Sequence, residues 1–343
     1  MLKTSFRYLN LLFFTLLILL TFSFFLPYLF PGDLVTNMSG ITPASEQQRD
    51  ALERALKLDQ SIAQQFKLYV ENIYLGDWGV STTTNTSIFS EVTEVLPATL
   101  ELVFYALIIA IFIGIPIGII AGLKHHNILD FTTVSFSIAA YSFPVFWLAM
   151  IFITVFCLQL GWLPTSGRID LLYDIPTVSG FIMIDIALSD VDYKSQAYQN
   201  AISHMVLPTL SVAIITMALF IRFVRRSMMD VMSKEYIVAA KSRGFSSAQI
   251  VFKHGIKNAL IPILPILALQ VSTLITNVMI VETVFAWPGI GKWLIESIYQ
   301  RDYPAIRIGM LIVSVLVLVM TISTEFLTRL LDPARENVEH ATV

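Results

Sequence analysis

Hydrophobic side chains occur in long runs along this chain, and shorter polar segments separate the runs. A helix needs about 20 predominantly apolar residues to cross a bilayer. Runs of that length lie at residues 9–30, 98–123, 131–160, 205–224, 259–283 and 306–328. The pattern therefore predicts an all-α polytopic membrane protein with six transmembrane helices.

The first run could instead belong to a signal peptide, because Lys3 and Arg7 form a basic stretch at its start. Its apolar part is longer than the about 7–15 residues typical of a signal peptide, and no A-x-A cleavage site follows it. We therefore interpret residues 1–30 as a retained first transmembrane helix.

Composition supports a membrane protein and excludes several other classes. Of the 343 residues, 56% are hydrophobic and 14% are charged, whereas a soluble domain has about 25% charged residues. The net charge of -3 gives no indication of nucleic-acid binding, and the single cysteine, Cys157, excludes a disulfide framework. The sequence has no H-E-x-x-H, G-x-S-x-G or Walker A motif. We therefore predict no catalytic residue, no metal site and no cofactor, and ATP would have to be bound by another chain.

The distribution of basic residues indicates the orientation in the membrane, because short cytoplasmic loops are enriched in Lys and Arg. Residues 222–258 carry eight such side chains, whereas residues 161–204 carry five Asp and two basic side chains. The N- and C-termini are then cytoplasmic. The predicted organisation is a periplasmic segment at 31–97, a transmembrane domain at 98–330, a cytoplasmic loop between helices 4 and 5 at 225–258, here called the basic loop, and a cytoplasmic tail at 331–343.

Small residues mark one face of the second predicted span. Gly114, Gly118 and Gly122 are four residues apart, which places them on the same side of a helix. Small residues at this spacing allow the backbones of two helices to approach closely. The neighbouring helix could belong to this chain or to a second subunit, and we favour packing within this chain.

Three acidic residues, Glu101, Glu282 and Glu325, lie near the ends of predicted spans. Acids within membrane helices are candidates for a functional role, although each of these three could also reach a polar interface. Of the three, Glu282 is our candidate for an acid on the translocation path.

Segment 31–97 has apolar residues at helical spacing between residues 51 and 79. Leu52, Leu56, Phe66 and Tyr69 fall on the faces that a folded unit would bury. The pattern predicts a small folded cap rather than a disordered connection, and this cap could receive a soluble binding protein.

The basic loop contains a two-helix pattern in the sequence "EYIVAAKSRGFSSAQIVFKHGIKNALIP" at 235–262. Gly244 follows a helix end rich in cations, which is typical of a C′ glycine. Ser246 and Gln249 have the spacing of a capping box. Ala239 and Ala240 are small, and we expect both on the surface, where a large partner could approach them. The loop could lie on anionic lipid, be solvated, or dock a soluble partner.

The basic loop resembles the "EAA" motif of ABC transporter permeases, with Ala239, Ala240 and Gly244 at the matching positions and Val238 where Glu is usual. Its ending, "KHGIKNALIP", resembles the peptide and nickel branch of that family. Further matching pieces are "PGD" at 31–33, "GDWGVS" at 76–81, "LPATLEL" at 96–102, "SFPVFWLAM" at 142–150, "GWLPTSGR" at 161–168, "ETVFAWPGIG" at 282–291 and "RDYP" at 301–304. Within the branch, residues 161–190 are most similar to the Sap-type permeases, which are associated with antimicrobial-peptide resistance.

The resemblance implies one permease subunit of a binding-protein-dependent importer in a bacterial inner membrane. It implies a second homologous permease subunit, two cytoplasmic ATPase subunits, a periplasmic solute-binding protein and membrane lipid as partners, with peptides or small cationic solutes as cargo. The residues that would dock the ATPase are Glu235, Ala239, Ala240, Gly244 and Phe245. A system that moves nickel or a polyamine, or an ion-coupled secondary transporter, remains the alternative.

Overall fold

The computed structural model describes residues 2–331, and the regular elements in that range are helices. In chain order they are α1 (Leu2–Leu29), α2 (Leu34–Ser39), α3 (Glu46–Ala55), α4 (Ile62–Leu75), α5 (Ile88–Leu123), α6 (Ile128–Ser142), α7 (Val145–Phe152), α8 (Ile182–Leu188), α9 (Lys194–Met232), α10 (Glu235–Ser242), α11 (Ser247–Ile250), α12 (Ile256–Leu260), α13 (Leu264–Val284), α14 (Ile290–Gln300) and α15 (Tyr303–Leu331). A π-helical turn follows α7 at Ile153–Gln159, a second follows α11 at Val251–Gly255, and a 3₁₀ turn follows α12 at Ile261–Ile263. The all-α prediction is confirmed for this part of the chain. Apart from its first residue, the tail predicted at 331–343 lies outside the described residues.

Five helical stretches in residues 2–331 are long and apolar enough to cross a membrane, and a bent pair of helices would make six. Four of them contain or nearly coincide with the predicted first, second, fourth and sixth spans. These four are Asn10–Leu29, Ile88–Leu123, Lys194–Met232 and Tyr303–Leu330.

The third predicted span, 131–160, is not one continuous helix. α6 ends at Ser142, α7 begins at Val145, and the two axes differ by 101°. Pro144 causes the break, because the residue before a proline is driven out of the helical region. Phe143 accordingly has φ -91° and ψ 135°.

The fifth stretch, Ser247–Leu267, covers only the start of the fifth predicted span, 259–283. The rest of that span lies in α13, which is continuous from Leu264 to Val284. Pro262 and Pro265 are the second residues of the 3₁₀ turn and of α13. The missing N–H of a proline costs little at such a position, so the chain continues as a helix from the basic loop into α13.

The described chain divides into two compact units. The first contains the chain up to Thr99, Pro176–Leu188 and Pro288–Val319; the second contains Leu100–Ile175, Ser189–Trp287 and the chain from Met320 onward.

The core of the first unit is formed by side chains from α1, α4, α5, α14 and α15. Its buried members are Phe24, Tyr69, Ile88, Val92, Ile290, Ala305 and Ile308. Two hydrogen bonds hold α14 in place: the Ile290 N–H donates to Thr99 Oγ1 at 2.8 Å, and Trp293 Nε1 donates to Glu91 Oε2 at 2.7 Å.

The prediction that segment 31–97 is folded is confirmed, because α2, α3 and α4 form there and Tyr69 is buried. Phe66 packs against the same core. Leu52 and Leu56 are half-buried rather than buried.

In the second unit, α5 packs against α9 through the predicted glycine face. A Cβ atom on Gly118 would lie 2.7 Å from Val224 Cβ, and one on Gly122 would lie 2.8 Å from Met228 Cβ. At Gly114, the Met217 side chain and backbone would both be 3.2 Å away. At Gly118 and Gly122 these contacts are too short for a Cβ atom, and at Gly114 they are tight, so α5 and α9 approach each other closely along this face.

Candidate coupling site

The basic loop begins as the last turns of α9 and continues as α10, a tight turn, and α11. The turn is a complete Schellman motif: the Phe245 N–H donates to the Ala240 carbonyl at 3.3 Å, and the Gly244 N–H donates to the Lys241 carbonyl at 3.0 Å. Gly244 has φ +81°, a conformation that favours glycine. The prediction of a C′ glycine is confirmed.

The start of α11 has the predicted capping box. Ser246 Oγ accepts from the Gln249 N–H at 3.3 Å, and Gln249 Oε1 accepts from the Ser246 N–H at 2.9 Å. Two orphan N–H groups at the helix N-terminus are thereby satisfied. The angle between α10 and α11 is therefore fixed by local hydrogen bonds at both sides of the turn.

The inner face of the α10–α11 pair is a small apolar core. Ile237, Ala240 and Ile250 are buried, and Met232 packs against them. The expectation that Ala240 lies on the surface is wrong, because its side chain is 7% exposed. Ala240 follows Ile237 by three residues, which places both on the same face of α10, and that face turns toward α11.

The outer face of the pair carries the remaining predicted docking residues. Glu235, Ala239 and Gly244 are exposed, and Phe245 is 36% exposed. Two further side chains, an apolar and an aromatic one, share this exposure: Val238 at 58% and Tyr236 at 43%. The three-residue spacing of Ile237 and Ala240 was the sequence signal that could have placed Tyr236 and Val238 off the buried face.

Phe245 contacts two side chains of the following turn. Lys253 Nζ lies 5.7 Å from the centre of its ring, and the His254 ring packs edge-on at 6.3 Å. A cation over an aromatic face is stabilising, so these contacts orient Phe245 at the exposed end of the α10–α11 pair.

The loop is attached to α9 by α12 and by the π-helical turn before it. Ser227 Oγ donates to the Ala259 carbonyl at 2.7 Å, and Met228, Val231 and Ala259 form a buried cluster. A Cβ on Gly255 would lie 2.7 Å from Met228 Cε. These contacts join the loop to the end of α9.

An ion pair connects the same part of α9 to α6. Arg225 forms two hydrogen bonds to the Asp130 carboxylate, one of them 2.6 Å from Nη2 to Oδ2. Asp130 also accepts from the His126 N–H at 3.1 Å. Two parallel hydrogen bonds give such a pair a defined geometry. In the sequence Arg225 is only one of several positive charges, because its partner lies 95 residues away.

Comparison with known proteins decides the family. Residues 114–337 match the model described as "Binding-protein-dependent transport system inner membrane component". Residues 1–103 match the model for the N-terminal region of such membrane components. The chain belongs to this family. Its members are permease subunits of ABC transporters and are not themselves enzymes, which excludes the ion-coupled secondary transporter.

Several curated relatives are similar to this permease over most of its length. The di/tripeptide transport system permease protein DppB of Pseudomonas aeruginosa is 40% identical over 92% of both chains. The dipeptide transport system permease protein DppB of Escherichia coli K12 is 33% identical over 92% of both chains. The putrescine export system permease protein SapB of Escherichia coli K12 is 40% identical over 77% of this chain and 83% of its own. A chain of the inward-facing MetNI methionine ABC transporter structure has a TM-score of 0.49 and 16% identity, covering 68% of this chain and 93% of that chain.

The family places the permease in the bacterial inner membrane as a multi-pass protein. It also implies that the permease works in a transport system with an ATPase and a substrate-binding protein.

The acidic residues of the permease occupy different environments. Glu101 pairs with Arg168, whose Nε donates to Oε2 at 3.0 Å, and Arg168 also lies 5.7 Å from the Trp287 ring. Glu282 has no exposed surface, and its backbone carbonyl accepts from the Trp287 N–H at 2.8 Å. Glu325 is 40% exposed and lies 3.9 Å from Arg329. Within the described residues, no cluster of three metal-ligating side chains is present.

Proposed function

We propose that this chain is one transmembrane half of an ATP-driven importer of peptides or similar small cationic solutes. It would pair with a second homologous permease subunit, two cytoplasmic ATPase subunits and a periplasmic solute-binding protein. Support comes from the relatives, since the names of DppB in two bacteria specify di- or tripeptide transport and they match over 92% of this chain.

The cargo named for the Sap-type relatives differs between strains. SapB is named a putrescine export permease in Escherichia coli K12 and a peptide transport permease in Escherichia coli O157:H7, at the same 40% identity. The Sap-type assignment, and with it a contribution to antimicrobial-peptide resistance, stays a prediction. The putrescine name makes a polyamine the second candidate, and nickel, which none of these names mentions, is a weaker one.

The basic loop would couple the ATPase to the transmembrane helices. The observation that carries this is the division of α10 into a buried face and an exposed face that includes Val238 at 58% and Tyr236 at 43%. Exposed apolar side chains on a helix whose opposite face is buried commonly mark a protein interface. ATPase closure would displace the α10–α11 pair, and the Ser227–Ala259 hydrogen bond and the Met228 cluster would carry that movement into α9.

Within this mechanism, Glu235, Ala239, Gly244 and Phe245 form the docking surface, and Ala240 supports it from inside. Glu282 would reach the substrate only in another state of the transport cycle, because it is fully buried within this chain.

Substitution of Ala239 tests the docking proposal. Ala239→Glu adds a charge to the exposed face, where an unpaired charge desolvated at an interface is strongly unfavourable. We expect the variant to reach the membrane at a normal level, to lose the ATPase during purification by affinity tag, and to fail in transport. Ala239→Ser, which is small and uncharged, should retain both. Full ATPase retention and transport by Ala239→Glu would exclude this face as the docking site.

Orientation can be tested separately by cysteine labelling. In a Cys157→Ser background, a cysteine at Ser247 should be protected from a membrane-impermeant reagent in sealed cells, and one at exposed Glu71 should react. Cys157 Sγ donates to the Pro164 carbonyl at 3.1 Å, and a serine can keep that bond. Labelling of the cysteine at position 247 by the impermeant reagent would show that the proposed orientation is wrong.

A further inference from the structure

A cavity of about 240 Å³ lies inside the first unit. Its walls come from α1, from α4 and the segment after it, and from the first turns of α15. Polar groups on the wall include Asn72, Asp77 and Arg307, and apolar groups include Phe24, Ile73 and Trp78. Because Asp77 is exposed, the cavity reaches the protein surface.

Arg307 is the unusual member of this wall. Its side chain is 7% exposed, and its Nε has no hydrogen-bond partner among the described residues. No ion pair of Arg307 is present in residues 2–331. Arginine is almost never fully buried without a partner. The structure therefore leaves a buried positive charge without the anion that would normally accompany it.

The contacts that Arg307 does make do not neutralise it. Its guanidinium lies 5.1 Å from the centre of the Tyr69 ring, and a cation–π contact contributes less than an ion pair with hydrogen bonds. Ser23 Oγ donates to the backbone carbonyl of Arg307 at 3.3 Å, and the Ser23 and Tyr69 hydroxyls share a hydrogen bond of 2.8 Å. These bonds fix the position of the arginine and leave its charge free.

Two side-chain amides on the cavity wall differ in whether they are already hydrogen-bonded. Gln65 is, since its Oε1 accepts from the Tyr28 hydroxyl at 2.6 Å and its Nε2 donates to the Gln60 carbonyl at 3.0 Å. The side-chain amide of Asn72 makes no hydrogen bond within residues 2–331 and lines the cavity. Arg307 and Asn72 can therefore both donate hydrogen bonds to a ligand in the cavity.

We propose that this cavity binds an oxyanion, a carboxylate or phosphate carried on a small apolar group, with Arg307 as its charge partner and Asn72 as a second donor. Phe24, Ile73 and Trp78 would contact the apolar part. The volume suits a fatty-acid-like fragment or a single headgroup rather than a drug-sized ligand. The same chemistry is available from a soluble carboxylate and from the phosphate of a phospholipid. This site is independent of the proposed docking surface and substrate.

The test uses the full chain in detergent and hexanoate as the probe. Trp78 in the wall reports binding by fluorescence, and Trp78→Phe identifies its signal. We expect a saturable change with hexanoate, none with the uncharged alcohol hexanol, and affinity weaker by about tenfold or more in Arg307→Met, the loss expected for a charge-assisted hydrogen bond. Lys67→Met is the matched control, because Lys67 is a cation on the same α4 helix with a side chain 76% exposed, and it should bind like the unchanged chain.

Native mass spectrometry distinguishes a phospholipid from a soluble carboxylate as the source of the oxyanion. If the anion is a lipid phosphate, the chain as purified retains one more phospholipid than Arg307→Met, and hexanoate binds only after that lipid is removed. If it is a soluble carboxylate, both retain the same lipids and hexanoate binds directly. Should Arg307→Met fail to fold, Asn72→Leu should weaken hexanoate binding instead. Equal hexanoate affinity and equal lipid retention in the variants and the unchanged chain would overturn the proposal.

Discussion

The basic loop and segment 31–97 are both built from short helices, but they obtain their stability in different ways. The α10–α11 pair has a core of three buried side chains, Ile237, Ala240 and Ile250. Segment 31–97 contributes to a larger core that includes Phe24, Tyr69, Ile88 and Val92. A small core with an exposed apolar face gives an element of low local stability that a partner can stabilise.

The largest effect is expected from a charge placed in the buried core of the basic loop. Ala240→Glu places a charge among Ile237 and Ile250, where removal of solvent without a counter-charge costs about 3–5 kcal/mol. We expect the α10–α11 pair to unfold locally. Hydrogen exchange should show rapid labelling of residues 235–250 in Ala240→Glu and normal protection in Ala239→Glu. Equal protection in the two variants would contradict the buried position of Ala240.

A matched pair of isoleucines compares the two cores directly. Ile88 and Ile237 both have 0% exposure, and truncation of a buried isoleucine to alanine costs about 2–5 kcal/mol. We expect Ile88→Ala to lower the global thermal unfolding midpoint. Ile237→Ala should leave that midpoint nearly unchanged and accelerate exchange in the basic loop alone. A global shift of the same size for both would show that the loop is not an independent unit.

A matched pair of glycines separates backbone strain from steric conflict. Gly40 and Gly244 have φ +78° and +81°. A Cβ on Gly40 would lie 2.0 Å from the Val80 carbonyl oxygen, whereas a Cβ on Gly244 would meet nothing within 4 Å. Gly244→Ala should therefore cost only the left-handed strain, about 1–2 kcal/mol, and Gly40→Ala should cost clearly more. Hydrogen exchange measures the cost of Gly244→Ala in the basic loop, and chemical denaturation followed by circular dichroism measures the cost of Gly40→Ala. A smaller cost for Gly40→Ala than for Gly244→Ala would refute the predicted clash with the Val80 carbonyl oxygen.

The smallest effect concerns the charge of Asp33 at the start of α2. Burial opposes its ionisation, but hydrogen bonds from the Thr36 N–H and from Arg49 lower the pKa of Asp33 below its usual value. A lowered folded pKa contributes stability above the unfolded pKa of about 3.9, and the contribution is lost as the pH falls through the folded pKa.

Asp33→Asn keeps a capping oxygen and removes the charge. At about pH 6 the thermal unfolding midpoint of the unchanged chain should be slightly higher than that of Asp33→Asn. This difference between the two midpoints should disappear below about pH 3. A difference that persists at low pH would assign the effect to the cap rather than to the charge.

Local features of this protein followed from its sequence. Gly244 at C′ and the Ser246–Gln249 capping box were predicted because their hydrogen bonds join residues at most five positions apart. The glycine face of α5 was also visible, since its members repeat every four residues. Four of the spans were recognised because length and apolar composition are properties of a continuous segment.

Tertiary structure alone decided the rest. Ala239 and Ala240 are identical side chains next to each other, and only the position of α11 makes one exposed and the other buried. The partners of Arg225 and Arg168 lie 95 and 67 residues away, and periodicity holds no information about such pairs. The same holds for Arg307, which the sequence placed in an ordinary apolar run. Whether a charge is paired, buried or exposed depends on which distant segments pack around it, and that depends on the fold as a whole.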